Sequence, residues 1–313
     1  EAALVLAAAV KAQAGKITGK LRKALSTTDD EIERILSLLR ATPTERALAL
    51  SKRVATARKS IGTLLKKLDA LKPQDVLNRR EEIEERIETS VNNANVLANT
   101  ADASARAPKG TSFVVLDAPT ITNDRILPMS LITKRRVAGA LTLSACPGEY
   151  EPASLLVTPS RDVEGVSVTC SDLASADGAI DASQIDIKLV KCWYQSFSEP
   201  WTGGVSYQRG KVLLPELLVN DDDLVRVDLE KKRNLLRVTD PKTGESRYED
   251  VTGENEALTQ TLQIHDADAL EPVDIPAGQV RQFWVTVHVP DDAKAGTYEG
   301  IVSVTSEGSV VAL

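Results

Sequence analysis

Residues that commonly perform catalysis are few and scattered in this chain. Its two histidines, His265 and His288, have no Cys or His neighbour at the spacing of a metal site. No glycine-rich segment matches the loops that bind nucleotide phosphates, so nucleotide chemistry is not expected. Acidic residues are so numerous that no pair stands out as the two carboxylates of a glycosidase. The sequence therefore identifies no catalytic residue and no metal-binding motif.

One acidic cluster has the composition of a site for a hard cation. Asp221, Asp222 and Asp223 follow one another in the segment VNDDDLVRVD, and carboxylate oxygens are ligands that calcium prefers. The segment lacks the glycine and the terminal glutamate of an EF-hand loop. Because aspartate is also frequent in turns, a turn between strands is the favoured interpretation and a calcium site is the alternative. No other cofactor is expected.

A second candidate site is a short segment in which the aromatic residues are concentrated. Aromatic residues make up only 4% of the chain, yet five of them lie between residues 193 and 207. An aromatic surface with polar neighbours can hold a sugar ring or a partner protein. The candidates for such contact are Tyr194, Trp201 and Tyr207. The structural alternative is that Trp193 belongs to the core and Trp201 closes a loop against the sheet.

The elements that position these residues begin with a helical region over residues 1–98. Apolar residues recur there at helical spacing, and β-branched and aromatic residues are few. Thr28 and Glu31 have the spacing of a capping box, which predicts that a second helix begins there. Pro43 and Pro73 each take the first position of a later helix. Four helices with short connections favour an antiparallel bundle.

The third helix carries the clearest periodicity in the chain. Its apolar residues alternate spacings of three and four over more than three heptads, which is typical of a coiled-coil seam. Such a seam can pack inside one chain or against a second molecule, and the sequence leaves both alternatives open. The candidate oligomerisation seam consists of Leu50, Val54, Ile61, Leu64 and Leu68.

A linker and an all-β domain are predicted to follow the helices. Residues 99–110 are small and polar and end in Pro-Lys-Gly, which predicts a linker. Residues 279–306 alternate apolar and polar side chains and predict two strands joined by a polar turn. The chain closes in an apolar run, residues 310–313, which predicts another strand and a domain that is incomplete at its C-terminus. Further strands are predicted at residues 112–116, 138–145, 150–158, 163–170, 185–194, 213–219 and 224–227.

These patterns define the predicted fold class. Strands at this density without helices between them favour a β-sandwich of the immunoglobulin-like type over a parallel sheet. The prediction is therefore a multidomain α and β protein, with a helical bundle over residues 1–98 and a β-sandwich over residues 111–313. A net charge of -7 argues against nucleic-acid binding. No segment approaches the roughly 20 apolar residues that span a bilayer.

The three cysteines leave their pairing open. Cys146, Cys170 and Cys192 are an odd number without the spacing of a zinc site. Buried thiols in strands are the favoured interpretation. One disulfide with one free thiol is the alternative.

Three segments of the predicted β-domain form a pattern when taken together. They are residues 188–194 leading to Trp201, residues 213–228, which read LLPELLVNDDDLVRVD, and residues 282–300, which read QFWVTVHVPDDAKAGTYEG. Together they resemble the N-terminal β-sandwich domain of glycoside hydrolase family 123. The resemblance covers about residues 111–306. It implies a domain that precedes a (β/α)8 barrel, in which an adjacent Asp-Glu pair cleaves N-acetylhexosamine glycosides with help from the substrate's acetamido group. No such barrel is expected within these 313 residues, so no catalytic residue is transferred.

The resemblance leads to a first hypothesis and two alternatives. The first is a non-catalytic N-terminal region of a secreted or cell-surface glycosidase-like protein, in which the sandwich supports a following domain and the helices anchor or oligomerise it. The second is a structural subunit of an extracellular assembly, which self-associates through the helical seam or an open strand edge. The third is a carbohydrate-binding module for a polysaccharide.

Overall fold

The computed structural model describes residues 2–41, 45–196, 211–252 and 263–313. Its N-terminal part is helical and the remainder is built from antiparallel strands, which confirms the predicted fold class. None of the described helices combines the length and the hydrophobicity that crossing a bilayer requires. The helices are α1 (Ala2–Ala41), α2 (Glu45–Asp69), α3 (Pro73–Asn78) and α4 (Arg80–Arg106).

Helix α1 is one continuous helix of 40 residues. The predicted capping box at Thr28 and Glu31 is therefore wrong, because both residues lie in the helix interior and are 3% and 2% exposed. The segment around them contains no Pro or Gly that would end a helix. The Glu31 carboxylate instead accepts a hydrogen bond from Thr133, 102 residues further along the chain.

The apolar seam of α2 is buried by helices of the same chain. Leu50, Val54, Ile61 and Leu68 are at most 6% exposed, and Leu64 packs beside them. They form one cluster with residues of α1 and α4, among them Leu25, Ile32 and Ile87. Of the two alternatives for the seam, the structure therefore shows packing inside one chain. A second molecule could reach these side chains only by displacing α1 or α4.

The helix predicted from Pro73 is interrupted after one and a half turns and then continues further than expected. Arg79 leaves helical geometry (φ −116°, ψ 25°) and separates α3 from α4. Helix α4 then runs to Arg106, so most of the predicted linker at residues 99–110 is helical. The linker prediction is wrong for these residues because they continue the helix and residues 99–103 are buried, with Asn99 fully buried.

Most predicted strands are present, within one to three residues of their expected ends. Residues 138–145 are the exception: they form no strand, although Val137 makes an isolated bridge with Leu116. The strands are β1 (Phe113–Asp117), β2 (Tyr150–Pro159), β3 (Val163–Cys170), β4 (Leu173–Ser175), β5 (Gly178–Ile180), β6 (Ile185–Ser196), β7 (Lys211–Val219), β8 (Val225–Asp228), β9 (Arg233–Thr239), β10 (Ser246–Asp250), β11 (Val273–Ile275), β12 (Arg281–His288), β13 (Val302–Ser306) and β14 (Ser309–Ala312).

Two antiparallel sheets enclose the main core of the β-domain. One has the strand order β1-β2-β12-β6-β7 and the other β11-β3-β13-β14, and a smaller sheet β10-β9-β8 joins them at one side. Phe113, Leu155 and Phe283 of the first sheet meet Val168 and Val304 of the second. Facing apolar rows of this kind define a β-sandwich.

The two strands predicted within residues 279–306 exist, but they do not pair with each other. Strand β12 lies between β2 and β6, so both of its edges are occupied. Strand β13 pairs with β3 and β14 in the opposite sheet. The polar segment between β12 and β13 therefore crosses from one sheet to the other, as connections in sandwiches do.

Candidate functional site

The helices and the sandwich are joined by apolar packing and by hydrogen bonds between buried side chains and loop backbone. Helix α4 packs on β1 and β2, and Ala103 joins an apolar cluster with Val114, Leu116 and Leu156. We call the contact of α1 and α4 with residues 126–136 and 278–280 the helix–sandwich junction. It places the bundle over one end of the five-stranded sheet's outer face.

Asn99 is the central hydrogen-bonding residue of the junction. Its side-chain nitrogen donates to the carbonyl oxygens of Ser130 (2.8 Å) and Gly278 (3.1 Å), and its side-chain oxygen accepts from the Ile132 amide (3.2 Å). One buried amide thus satisfies three backbone groups of two sandwich loops. Because leaving such groups unpaired costs free energy, this arrangement fixes where the loops sit on the helix.

Gly278 allows the backbone of the sandwich to approach α4 closely. It has φ +71°, and a Cβ atom at this position would lie 2.1 Å from the Val96 carbonyl oxygen and 2.4 Å from Thr100 Oγ1. Only a residue without a side chain fits here. Residue 278 must therefore be glycine for two reasons: its backbone conformation and the lack of space for a Cβ atom.

Two buried carboxylates add charged hydrogen bonds to the junction. Glu31 accepts from Thr133 Oγ1 (2.5 Å) and Arg34 Nε (2.6 Å), while Asp102 accepts from Arg106 Nε (2.8 Å) and pairs with Arg34 (3.5 Å). Burial raises the pKa of Asp102 above its ordinary value, against the opposing effect of Arg106 and Arg34. Because Glu31 has a cationic and a hydroxyl partner and Asp102 has two cationic partners, this cluster has the character of a structural network.

Sequence reasoning missed this junction, although a signal for it is present. Asn95, Asn99, Asp102 and Arg106 follow at spacings of four, three and four, which places polar side chains on one helix face. Such a row inside a helix that is otherwise rich in small residues indicates a polar docking face. The composition alone resembles that of a linker.

The three carboxylates of the acidic cluster form a hydrogen bond and ion pairs within the chain. Asp221 Oδ1 accepts from the Asp223 amide (2.7 Å) and begins a short 3-10 helix, Asp222–Leu224, which agrees with the predicted turn. A basic side chain pairs with every carboxylate of the cluster, and the described residues contain no group of side chains that could hold a metal. Each carboxylate is thus engaged by a basic side chain of the same chain, and the calcium alternative stays a prediction. The pairs are Asp221 with Arg237 (2.6 Å), Asp222 with Lys191 (2.5 Å) and Asp223 with Arg226 (2.8 Å).

Of the aromatic candidates, Tyr194 lies within the described residues. Trp201 and Tyr207 lie outside them and stay predictions. Trp193 packs against the main core and donates to Glu216 Oε2 (2.7 Å), as the structural alternative expects. The Tyr194 hydroxyl donates to the Leu229 carbonyl oxygen (3.3 Å), and burial raises its pKa to about 12. Tyr194 is thus engaged within the sandwich.

The three cysteines are free thiols, so the disulfide alternative is wrong for this structure. Cys170 and Cys192 lie in strands but are half-buried, and the interpretation as a buried strand thiol is wrong for Cys146, which is exposed in a turn. Burial raises the pKa of the Cys192 thiol to about 12, and its Sγ lies 3.7 Å from the Ile126 carbonyl oxygen. A small cleft of about 280 Å³ borders Cys192, but Lys191 in its lining is already paired with Asp222.

Comparison with protein families gives a match over one segment of the chain. Residues 238–306 match the family described as the glycoside hydrolase 123 N-terminal domain. The match contains β10 to β13 and lies within the region of the resemblance proposed from the sequence, which it confirms. Comparison with curated proteins gives no significant match.

A solved structure supplies a second similarity. It is a family 123 glycoside hydrolase from Clostridium perfringens, described in terms of glycolipid glycan hydrolysis, with 15% sequence identity and a TM-score of 0.37. The similarity covers 64% of this chain and 26% of that enzyme's chain. This chain therefore corresponds to a minor part of the enzyme's length. Because the TM-score is low, the family resemblance rests on the match of residues 238–306.

Proposed function

We propose that these residues form a non-catalytic N-terminal region of a glycosidase-like protein, in which sandwich and helices act as one rigid support. The observation that carries this proposal is the match of residues 238–306 to the N-terminal domain of glycoside hydrolase family 123. The resemblance implies that, in that family, a barrel following the sandwich cleaves the glycoside. The region described here then has the task of holding that barrel in place.

The helix–sandwich junction supports the idea of a rigid support. A flexible linker would let the helices move independently of the sandwich. Instead, α4 enters the sandwich interface directly, with Asn99 and Gly278 in close contact. A bundle held in this way sets a fixed distance and direction between whatever it anchors and the domain that follows the sandwich.

We also propose that the protein is exported, as the family resemblance implies. Fractionation of the native source with an antibody against this region tests the proposal. The protein is expected in the secreted or surface fraction, and its recovery in the cytosolic fraction alone would contradict export.

The proposed function is tested by the mass and activity of the native protein. Antibody capture followed by intact mass spectrometry is expected to give a mass well above the 33.7 kDa of this chain. The captured protein should hydrolyse aryl N-acetyl-β-hexosaminides, whereas the recombinant 313-residue chain should not. Hydrolysis by the recombinant chain itself would refute the non-catalytic assignment.

A structural subunit is the second candidate, and an open sheet edge favours it. Strand β14 is the last strand of its sheet, and Val310 on it is 58% exposed. Such an edge can pair with another chain by strand addition. A mass of 33.7 kDa for the single native chain, together with a large regular particle detected by light scattering, would support this candidate over the first.

A further inference from the structure

The outer face of the five-stranded sheet is covered by the helices at one end only. Leu156 of β2 and Val280 lie in the apolar cluster below α4. Tyr150 begins β2 six residues earlier, roughly 20 Å along the strand. Tyr150, Trp284, Thr286 and His288 share this outer face because they alternate with the core residues of their strands. We call these four residues the outer platform.

Tyr150 presents an exposed and well-oriented ring. It is 67% exposed and is the only aromatic residue in the exposed class within the described ranges. The His288 ring lies parallel to it, with centroids 4.3 Å apart and an interplanar angle of 17°. His288 Nδ1 lies 2.6 Å from Gln184 Oε1. The hydrogen bond and the stack together restrain the orientation of the Tyr150 ring, most of which stays exposed to solvent.

Trp284 provides a second aromatic ring on the same platform. It precedes His288 by four residues on β12, a separation of about 13 Å along the strand. Its side chain is half-buried, so part of the indole faces solvent. Thr286 lies between the two positions and is paired across the sheet with Pro152 and Asp186. The outer platform thus carries two aromatic side chains, with the hydroxyl-bearing Thr286 between their positions on the strand.

The charges beside the platform are balanced. Lys188 pairs across the sheet with Trp284, and its Nζ lies 3.5 Å from Asp186 Oδ1 on the neighbouring row. The same ammonium donates to Asn220 Oδ1 (3.2 Å). A ligand with a carboxylate or sulfate group would have to compete with Asp186 for Lys188. The surface is therefore suited to a neutral ligand.

We propose that the outer platform binds a neutral oligosaccharide, whose C–H faces stack on Tyr150 and Trp284. Pyranose rings have apolar faces and hydroxyl rims, which matches aromatic rings separated by a polar strip. The spacing of the two rings corresponds to a short chain of sugars, more than a single one. The site differs from the one predicted at Trp201 and Tyr207, and it does not depend on the support function proposed above.

The test is isothermal titration of the 313-residue chain with cellohexaose and chitohexaose as neutral probes and trigalacturonic acid as an acidic one. The neutral probes are expected to bind, and Tyr150→Ala should weaken binding roughly tenfold. Trp284→Phe keeps a ring and should cause a smaller loss. Tyr248→Ala is the matched control, because this tyrosine lies on β10 against Arg226 and away from the platform. Its affinity should equal that of the wild type.

Several results would overturn the proposal. One is the absence of binding to either neutral probe; another is equal affinity of Tyr150→Ala and wild type. Preference for trigalacturonic acid that is lost in Lys188→Gln would show an anion site instead. Binding that survives Tyr150→Ala but is lost in Trp201→Ala would place the sugar on the aromatic segment. Dimerisation that disappears in Tyr150→Ala, detected by light scattering, would identify a second copy of the chain as the occupant.

Discussion

Substitution of Gly278 by alanine tests the helix–sandwich junction with a single methyl group. The added Cβ would lie 2.1 Å from the Val96 carbonyl oxygen and 2.4 Å from Thr100 Oγ1, which are both on α4. One neighbour is backbone and cannot move without the helix. The variant must therefore either shift α4 away from the sandwich or distort the loop that carries residue 278.

The expected cost has two parts that a control can separate. The left-handed backbone at φ +71° costs alanine about 1–2 kcal/mol relative to glycine. Overpacking of a close contact adds about 1–3 kcal/mol. Gly244 has φ +74° with no atom within 4 Å of the added Cβ, so Gly244→Ala carries only the first part.

Urea unfolding of the two variants and the wild type gives the comparison. Gly278→Ala is expected to lower the free energy of unfolding by about 1–3 kcal/mol more than Gly244→Ala. Hydrogen bonds from Asn99 to the Gly278 loop should weaken at the same time, which amide exchange of Ile132 would report. Equal destabilisation by the two substitutions would refute the close contact between α4 and residue 278.

Further predictions concern the seam, the thiols and the dependence on pH. Ile61→Ala should lower the free energy of unfolding by about 2–5 kcal/mol, because Ile61 is buried within its own chain. For the same reason the urea midpoint should not vary with protein concentration, and a concentration-dependent midpoint would contradict the intrachain packing. With Ellman's reagent at pH 8, Cys146 should react at once and Cys192 only on unfolding, because Cys146 is exposed and the pKa of Cys192 is about 12; modification mapped by mass spectrometry to Cys192 first would be inconsistent with the structure. The free energy of unfolding should fall as pH rises above about 10, because Tyr194 ionises in the unfolded chain but stays neutral in the native one, where its pKa is about 12; Tyr194→Phe should reduce this slope, and an unchanged slope would exclude Tyr194 as its source.

The strands could be predicted because the side chains of a sandwich strand report its burial directly. Phe283, Val285 and Val287 alternate with Trp284 and Thr286 in sequence, and the structure buries the first set and exposes part of the second. Local alternation does not reveal which strands pair. Strand β12 takes β2 and β6 as neighbours, so the segment predicted as one pair of joined strands spans two sheets.

The helix ends and the linker could not be predicted because their determinants are remote in sequence. Glu31 imitates a capping box, but its partner Thr133 lies 102 residues away. Residues 99–106 have the small, polar composition of a linker, yet Asn99 is held by Gly278, 179 residues away. Tertiary hydrogen bonds outweigh local preference at such positions. The polar row on α4 signals a docking face in the sequence, but its partners could not be predicted because they lie in distant loops.

Amide hydrogen exchange of residues 99–106 in the wild-type chain tests the central claim most directly. If α4 joins helices and sandwich into one rigid unit, these amides should be as protected as those of β2 and β12 and should exchange through the same cooperative opening. Exchange within seconds, while the strands remain protected, would show a flexible linker and contradict the rigid support.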